Sequence, residues 1–105
     1  AKETSEASGS QVWAIGVDSD QINLVSDDLK PYILTSMLKR VDVAVFSTIE
    51  GYVNSGTQSG VVTFDLAVGG VAYSTTGGYI DDIVDQLEEL KATIIADPSQ
   101  VPTTP

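Results

Sequence analysis

The sequence contains neither cysteine nor histidine among its 105 residues. Without cysteine it has no thiol nucleophile and no disulfide. Without histidine it lacks the side chain that most often acts as a general base near neutral pH and most often binds transition metals. Without these two residue types, most of the usual mechanisms of covalent catalysis are not available to the chain. We therefore expect the protein not to be an enzyme, and to use no metal or cofactor.

Basic residues are scarce as well. The chain has 5 Lys and Arg against 15 Asp and Glu, which gives a formal net charge of −10. The basic residues are scattered, and only Lys39 and Arg40 are adjacent. Proteins that bind nucleic acid through its phosphates need a basic surface, so we expect no nucleic-acid partner.

Long apolar runs are also missing, since none approaches the ~20 residues that cross a bilayer. Apolar residues nevertheless make up 42% of the chain, which is ordinary for a protein with a folded core. The length allows one domain at most, or a piece of one. The small polar residues 1–10 fit either the end of a helix or a disordered tail.

A short apolar segment, Val12–Val17, is followed by two carboxylates, Asp18 and Asp20. A continuous apolar run of this length is typical of a strand buried in a parallel sheet. In open α/β sheets, ligands bind beyond the carboxyl ends of the strands. The pattern therefore predicts that Asp18 and Asp20 lie at a binding edge.

Further helices and strands are predicted downstream. The spacing of apolar residues predicts helices over Val41–Ser55 and Ile80–Ile95. It predicts strands over Tyr32–Leu38 and over Val61–Leu66 and Val71–Tyr73, the last two as a hairpin or as one bent strand. The resulting order β-β-α-β(β)-α indicates an α/β fold, a layered sheet flanked by helices.

Several kinds of site use carboxylates at a strand end. A calcium loop beginning Asp-x-Asp needs an oxygen ligand at its fifth position and glycine at its sixth. Those positions are Ile22 and Asn23, so the segment does not match the calcium-loop pattern. A phosphoacceptor aspartate would want an acidic pair after an earlier strand, and this chain has none. Glycoside hydrolysis needs a carboxyl group with a raised pKa, on which the sequence gives no information.

Binding of a sugar or polyol fits the pattern better. An ionised carboxylate presents two acceptor oxygens and can take two adjacent ribose hydroxyls at once. Lys39 follows the second predicted strand, so it lies close to Asp18 if the two strands are neighbours. It would then keep the carboxylate charged and could donate to the ligand itself. The alternative that stays open is that both are solvated loop charges.

Aromatic side chains can stack on a nucleobase or fill a core. Trp13 lies inside the first predicted strand, and Phe46, Tyr52 and Phe64 lie in predicted helices or strands. We expect these four to pack in the core. Tyr32 follows a proline at the start of a strand and is compatible with either role.

Two segments together resemble a known family. Gly16–Gln21 (GVDSDQ) and Leu34–Val45 (LTSMLKRVDVAV) resemble the basic membrane protein family of bacterial lipoproteins. A strand containing Gly69 and Gly70, and a final helix with the pattern LxxLKxxI before a Val-Pro pair, follow in the same order as in that family. These lipoproteins are the nucleoside-binding, solute-binding components of ABC transporters.

The resemblance implies a class I periplasmic-binding-protein fold whose two lobes close on a purine nucleoside or a related ribose-bearing solute. It implies that Asp18 binds the ribose hydroxyls and that Lys39 lines the same cleft, with Asp20 assigned to the same ligand site. Because family members are much longer, residues 1–105 are expected to be a C-terminal section. This section would supply part of the cleft, and an N-terminal part of the same protein would supply the rest.

The resemblance further implies an extracytoplasmic protein that is lipid-anchored to the bacterial cell membrane. Its partners would be the solute and an ABC transporter permease. A different class of function also stays open, a stand-alone acidic α/β domain that binds a basic protein partner. The acidic face of the second predicted helix, from Asp81 to Glu89, would carry that interaction.

Overall fold

The computed structural model describes residues 1–57 and 59–102, which form three helices and a three-stranded sheet joined by loops and short 3-10 turns. The helices are α1 (Lys2–Ser8), α2 (Val41–Ser55) and α3 (Val84–Ala96), and the strands are β1 (Ala14–Asp18), β2 (Ile33–Lys39) and β3 (Val71–Tyr73). The 3-10 turns are Gln21–Asn23, Lys30–Tyr32, Asp81–Ile83 and Pro98–Gln100. The fold is therefore mixed α/β, as the order of predicted elements indicates.

The sheet has the order β1-β2-β3, with β2 in the centre. β1 runs parallel to β2, and Asp18 is paired with Leu38. β3 runs antiparallel to β2, and Val71 is paired with Lys39. The carboxyl ends of β1 and β2 consequently meet at one edge of the sheet, beside the beginning of β3.

The first two strands are shifted from their predicted bounds. Val12 lies outside β1 because its N–H donates to the Oγ of Ser5 in α1 (2.8 Å), and pairing with β2 begins at Ala14. Tyr32 belongs to a 3-10 turn that contains Pro31, so β2 begins one residue later, at Ile33. Both strands nevertheless lie where the apolar runs predict them.

The helical predictions are confirmed, with one adjustment. α2 spans Val41–Ser55 as predicted and ends at Gly56, whose φ of 77° suits glycine. The predicted helix Ile80–Ile95 begins as the 3-10 turn Asp81–Ile83 and continues as α3. Residues 2–8 form α1, so of the two alternatives for the N-terminal segment the helix is confirmed and the disordered tail is not.

The strand predicted over Val61–Leu66 is wrong, because this segment is an irregular loop that leads into a turn. The Asp65 carboxylate accepts the N–H groups of Ala67 and Val68, and its backbone carbonyl accepts the N–H of Gly70 (2.8 Å). These bonds close a tight turn before β3. No hairpin forms, and β3 pairs with β2 instead.

The expected burial of β1 and of the aromatic residues in α2 is also wrong for the described part of the chain. Ile15 and Val17 in β1 are 64% and 54% exposed, and Phe46 and Tyr52 in α2 are 66% and 62% exposed. β1 is an edge strand, and α2 has no buried residue. The apolar faces that the sequence predicts therefore exist, but they lie open.

α3 is attached to the sheet through a polar contact on its acidic face. The Tyr73 hydroxyl donates to the Glu88 carboxylate (2.6 Å), and Lys91 lies 3.0 Å from the same carboxylate. The hydrogen bond from Tyr73, followed by that from Lys91, lowers the pKa of Glu88 below its ordinary value of 4.5. Part of the acidic face is thus engaged within the chain.

Candidate functional site

Asp18 and Lys39 meet at the edge where β1 and β2 end. The parallel register places Asp18 beside Leu38, and the Lys39 Nζ atom lies 2.8 Å from Asp18 Oδ1. Both side chains are more than 60% exposed, at 62% and 64%. The predicted proximity of these two strand-end residues is therefore confirmed, and the pair is accessible to a solute.

The backbone of Asp18 adopts an unusual conformation. Its φ of 75° makes it the one residue other than glycine with positive φ in the described part of the chain. The N–H of Ser19 donates to the carbonyl of Val17 (3.1 Å), so Asp18 is the central residue of a γ-turn of the rare, strained kind. Strained residues of this type concentrate at ligand sites. The turn redirects the chain directly after β1.

The electrostatics at this edge follow from the pairing of the two charges. The hydrogen bond to Asp18, and then its negative charge, raises the pKa of Lys39 above its ordinary value of 10.5. A lysine whose pKa is raised stays charged through neutral pH, and its charge is lost as the pH rises through that pKa. Under physiological conditions the site therefore presents a carboxylate that is already accompanied by a cation.

All five cationic side chains of the protein are engaged in similar pairs. Each lies within 3.0 Å of a carboxylate: Lys2 with Asp28, Lys30 with Asp27, Lys39 with Asp18, Arg40 with Asp42, and Lys91 with Glu88. With a net charge of −10, this surface repels anions. The arrangement favours an uncharged polar ligand over a phosphorylated one.

Asp20 lies near the same edge but is already occupied by protein donors. Its Oδ2 atom accepts hydrogen bonds from the Thr76 hydroxyl and from the Asn23 side chain (2.9 Å). The contact with Thr76 ties the loop after β3 to the loop after β1. Its assignment as a ligand-binding residue stays a prediction, and the geometry gives it a role in holding the two loops together.

Three residues that the sequence reasoning did not single out support the turn at Asp18. The Ser36 side chain, in the middle of β2, is 0% exposed and accepts the N–H of Gln21 (3.0 Å). The Gln21 amide donates to the carbonyl of Val17 (3.1 Å). Gly16 pairs with Ser36 across the sheet. The signal available in the sequence was the presence of small residues at neighbouring positions of two apolar strands.

Trp13 packs against an aromatic residue of the chain itself. Its ring lies 4.9 Å from the ring of Tyr79, between centroids, at an interplanar angle of 49°. The residue is still 39% exposed. The packing role predicted for Trp13 is thus found, but at the surface rather than in a core.

Neither a metal site nor a membrane-spanning helix is found in the described part of the chain. Among residues 1–57 and 59–102, no three His, Cys, Asp or Glu side chains are grouped so as to hold a metal ion. Within the same residues, no helix has both the length and the apolar character needed to span a bilayer.

Comparison with solved structures identifies the class of protein to which this fold corresponds. The chain is similar to an ABC transporter solute-binding protein from Aeropyrum pernix K1 whose crystal structure is known. The sequence identity is 25% and the TM-score is 0.52. The alignment covers 90% of this chain and 34% of that one, so this chain spans about a third of its length. The shared fold is that of an ABC transporter solute-binding protein.

Comparison with protein families gives a more specific result. Residues 1–104 match the family described as "ABC transporter substrate-binding protein PnrA-like". The chain belongs to this family, and the resemblance noted from its motifs is confirmed. Such substrate-binding proteins are extracytoplasmic components of ABC transporters and are generally not enzymes. A search of curated proteins gave no match.

Proposed function

We propose that this chain is part of a transporter-associated protein that captures a purine nucleoside, or a related ribose-bearing solute, in a cleft between two lobes. The observation that carries the proposal is the exposed Asp18–Lys39 pair at the carboxyl ends of two parallel strands. In open α/β sheets this is the position at which ligands bind. No covalent chemistry is involved, and capture depends on binding alone.

The chemistry of the pair suits the hydroxyl groups of a ribose. The Asp18 carboxylate can accept hydrogen bonds from two adjacent hydroxyls, and such bonds are stronger than those between neutral groups. Lys39 lies 2.8 Å from that carboxylate, and its remaining N–H groups can donate to ring or hydroxyl oxygens. Since every Lys and Arg side chain of the chain is already paired, a neutral nucleoside fits better than a nucleotide.

We further propose that the chain is the C-terminal section of a two-lobed solute-binding domain. The described part buries only two hydrophobic side chains, Ile22 and Ile80. Its radius of gyration is 17.4 Å, whereas a compact domain of ~100 residues has a radius of about 13 Å. An extended unit with so small a core needs other protein segments to cover its apolar faces.

An apolar cleft beside α2 supports the same proposal. It has a volume of about 650 Å³ and lies between the second half of α2 and the loop that precedes β3. Ile49, Tyr52, Val62 and Phe64 are among the residues that line it. We infer that side chains from the remainder of the domain fill this cleft and cover the open face of α2.

The full-length protein would be anchored to the outer face of the bacterial cell membrane through a lipid, and would deliver its solute to an ABC transporter permease. In proteins of this architecture, a ligand shifts the equilibrium towards the closed state of the two lobes. The Asp18–Lys39 pair would contribute to that shift by binding the solute from one side of the cleft.

A thermal-shift screen of the full-length protein tests the proposed function. The protein is first unfolded and refolded to remove any carried-over ligand, and is then heated with purine and pyrimidine nucleosides, free bases, nucleotides and simple sugars. A ligand at a hundred times its Kd stabilises the native state by about 2.7 kcal/mol, which corresponds to roughly 4–6 °C for a protein of about 200–300 residues. We expect this shift with purine nucleosides and not with free bases or nucleotides.

Two further results of the same screen are informative. The isolated 105-residue chain is expected to show no shift with any nucleoside, because it supplies one side of the cleft. If the full-length protein also shows no shift with any nucleoside, the proposed ligand is wrong. The alternative of an acidic interaction domain, with α3 as its binding face, would then have to be tested.

A further inference from the structure

The strained turn at Asp18 requires a specific support. Asparagine and aspartate tolerate positive φ better than other residues, but they adopt it rarely. The Val17 carbonyl oxygen accepts two hydrogen bonds at this point, from the N–H of Ser19 and from the side-chain amide of Gln21, each 3.1 Å long. Because this carbonyl belongs to the peptide unit that precedes Asp18, its orientation sets the backbone of Asp18 and the direction of the carboxylate.

Gln21 is in turn held by the neighbouring strand. Its own N–H donates to the Oγ atom of Ser36 (3.0 Å), which is completely buried in β2. The Gln21 side chain also lies directly against Gly16, where an added Cβ atom would stand 2.2 Å from Gln21 Cγ and 2.6 Å from Ser36 Oγ. The contacts with Ser36 and Gly16 therefore fix the backbone and the first side-chain carbons of Gln21, and this places its side-chain amide beside the Val17 carbonyl.

We propose that Gln21 and Ser36 are positioning residues that aim the Asp18 carboxylate towards Lys39 and the hydroxyls of the solute. Ser36 anchors the backbone of Gln21 to the central strand, and the Gln21 amide anchors the γ-turn. Neither residue needs to contact the ligand. The inference rests on the proposed function, since it concerns how the residue that binds the sugar is oriented.

Calorimetric titration of the full-length protein tests this proposal. The ligands are adenosine and guanosine, each compared with its 2′-deoxynucleoside. The affinity ratio is the affinity for the ribonucleoside divided by the affinity for the 2′-deoxynucleoside. Loss of one hydrogen bond in the support is expected to lower this ratio roughly three- to tenfold in Gln21→Ala and in Ser36→Ala. Gln21→Met, which keeps the bulk against Gly16 but lacks the amide donor, should behave as Gln21→Ala does.

The chain offers a matched control for each change. The Gln11 amide donates to the carbonyl of Pro31 (3.1 Å), and the buried Ser5 hydroxyl accepts the N–H of Val12 (2.8 Å), both away from the sheet edge. Gln11→Ala and Ser5→Ala should leave the affinity ratio unchanged. An unchanged ratio in the Gln21 and Ser36 variants would overturn the proposal. So would an equal loss of affinity for both ligands, which indicates a purely structural role.

Asp18→Asn in the same series separates this proposal from the one on which it depends. If Asp18→Asn leaves the affinity ratio unchanged, Asp18 does not bind the sugar, and both proposals fail. If Asp18→Asn lowers the ratio and the Gln21 and Ser36 variants do not, the proposed function stands and the positioning role is wrong. A lowered ratio in all of them supports both.

Discussion

Asp18→Asn is expected to weaken the binding of a purine nucleoside to the full-length protein by about a hundredfold or more. A hydrogen bond to a charged group contributes about 1.5–3 kcal/mol, and the carboxylate is proposed to accept two of them. The amide of asparagine offers one acceptor oxygen and two donors in place of two acceptor oxygens. Asparagine also tolerates the positive φ at this position, so the variant changes the charge without changing the turn.

The same variant should scarcely affect stability in the absence of ligand. The ion pair between Asp18 and Lys39 is exposed on both sides, and such pairs contribute only about 0–1 kcal/mol. Asp27→Asn is the matched control, since Asp27 forms an exposed ion pair with Lys30 (2.6 Å) away from the sheet edge. If Asp18→Asn binds nucleosides as tightly as Asp27→Asn does, the assignment of Asp18 is wrong.

Gly16→Ala is expected to damage both the fold around the site and ligand binding. The new Cβ atom would lie 2.2 Å from Gln21 Cγ, 2.7 Å from Gln21 Cβ and 2.6 Å from the buried Ser36 Oγ. The two Gln21 atoms lie near the base of its side chain, and the Ser36 Oγ atom is buried and hydrogen-bonded, so Gln21 must move away from the strand. Overpacking of this kind costs about 1–3 kcal/mol, which outweighs the gain of about 0.4–1 kcal/mol from a less flexible unfolded chain.

Denaturant unfolding and nucleoside titration of the full-length protein measure these effects. Gly51→Ala is the control, because Gly51 lies in the interior of α2, where alanine is favoured over glycine by about 1 kcal/mol. The two substitutions should therefore change the free energy of unfolding in opposite directions. A Gly16→Ala variant that is as stable as the wild type and binds normally would contradict the close packing of Gly16, Gln21 and Ser36.

Elements with a clear local signal were predictable from the sequence. The periodic apolar residues and terminal glycine of α2 gave its bounds without error, and the apolar runs located β1 and β2 to within two residues at either end. The position of Asp18 and of Lys39 at the end of a strand was also readable, although their contact depends on the parallel pairing of the two strands. These features depend on residues close in sequence.

Features that depend on distant residues were not predictable. The apolar run Val61–Leu66 has the composition of a strand, but the turn built around Asp65 and the short β3 leave it unpaired. The positive φ of Asp18 depends on Gln21 and on Ser36, fifteen positions further along the chain than Gln21. The burial of β1 and α2 was not predictable either. An apolar face indicates that some segment covers it, but the sequence does not show whether that segment lies within these 105 residues.

A crystal structure of the full-length protein with a purine ribonucleoside bound would show whether Asp18 binds the sugar. We expect the 2′ and 3′ hydroxyls within about 2.5–3.0 Å of the Asp18 carboxylate oxygens, with the Lys39 ammonium beside them and the γ-turn at Asp18 retained. A bound nucleoside whose ribose hydroxyls contact other side chains, with Asp18 facing solvent, would contradict the assignment of Asp18.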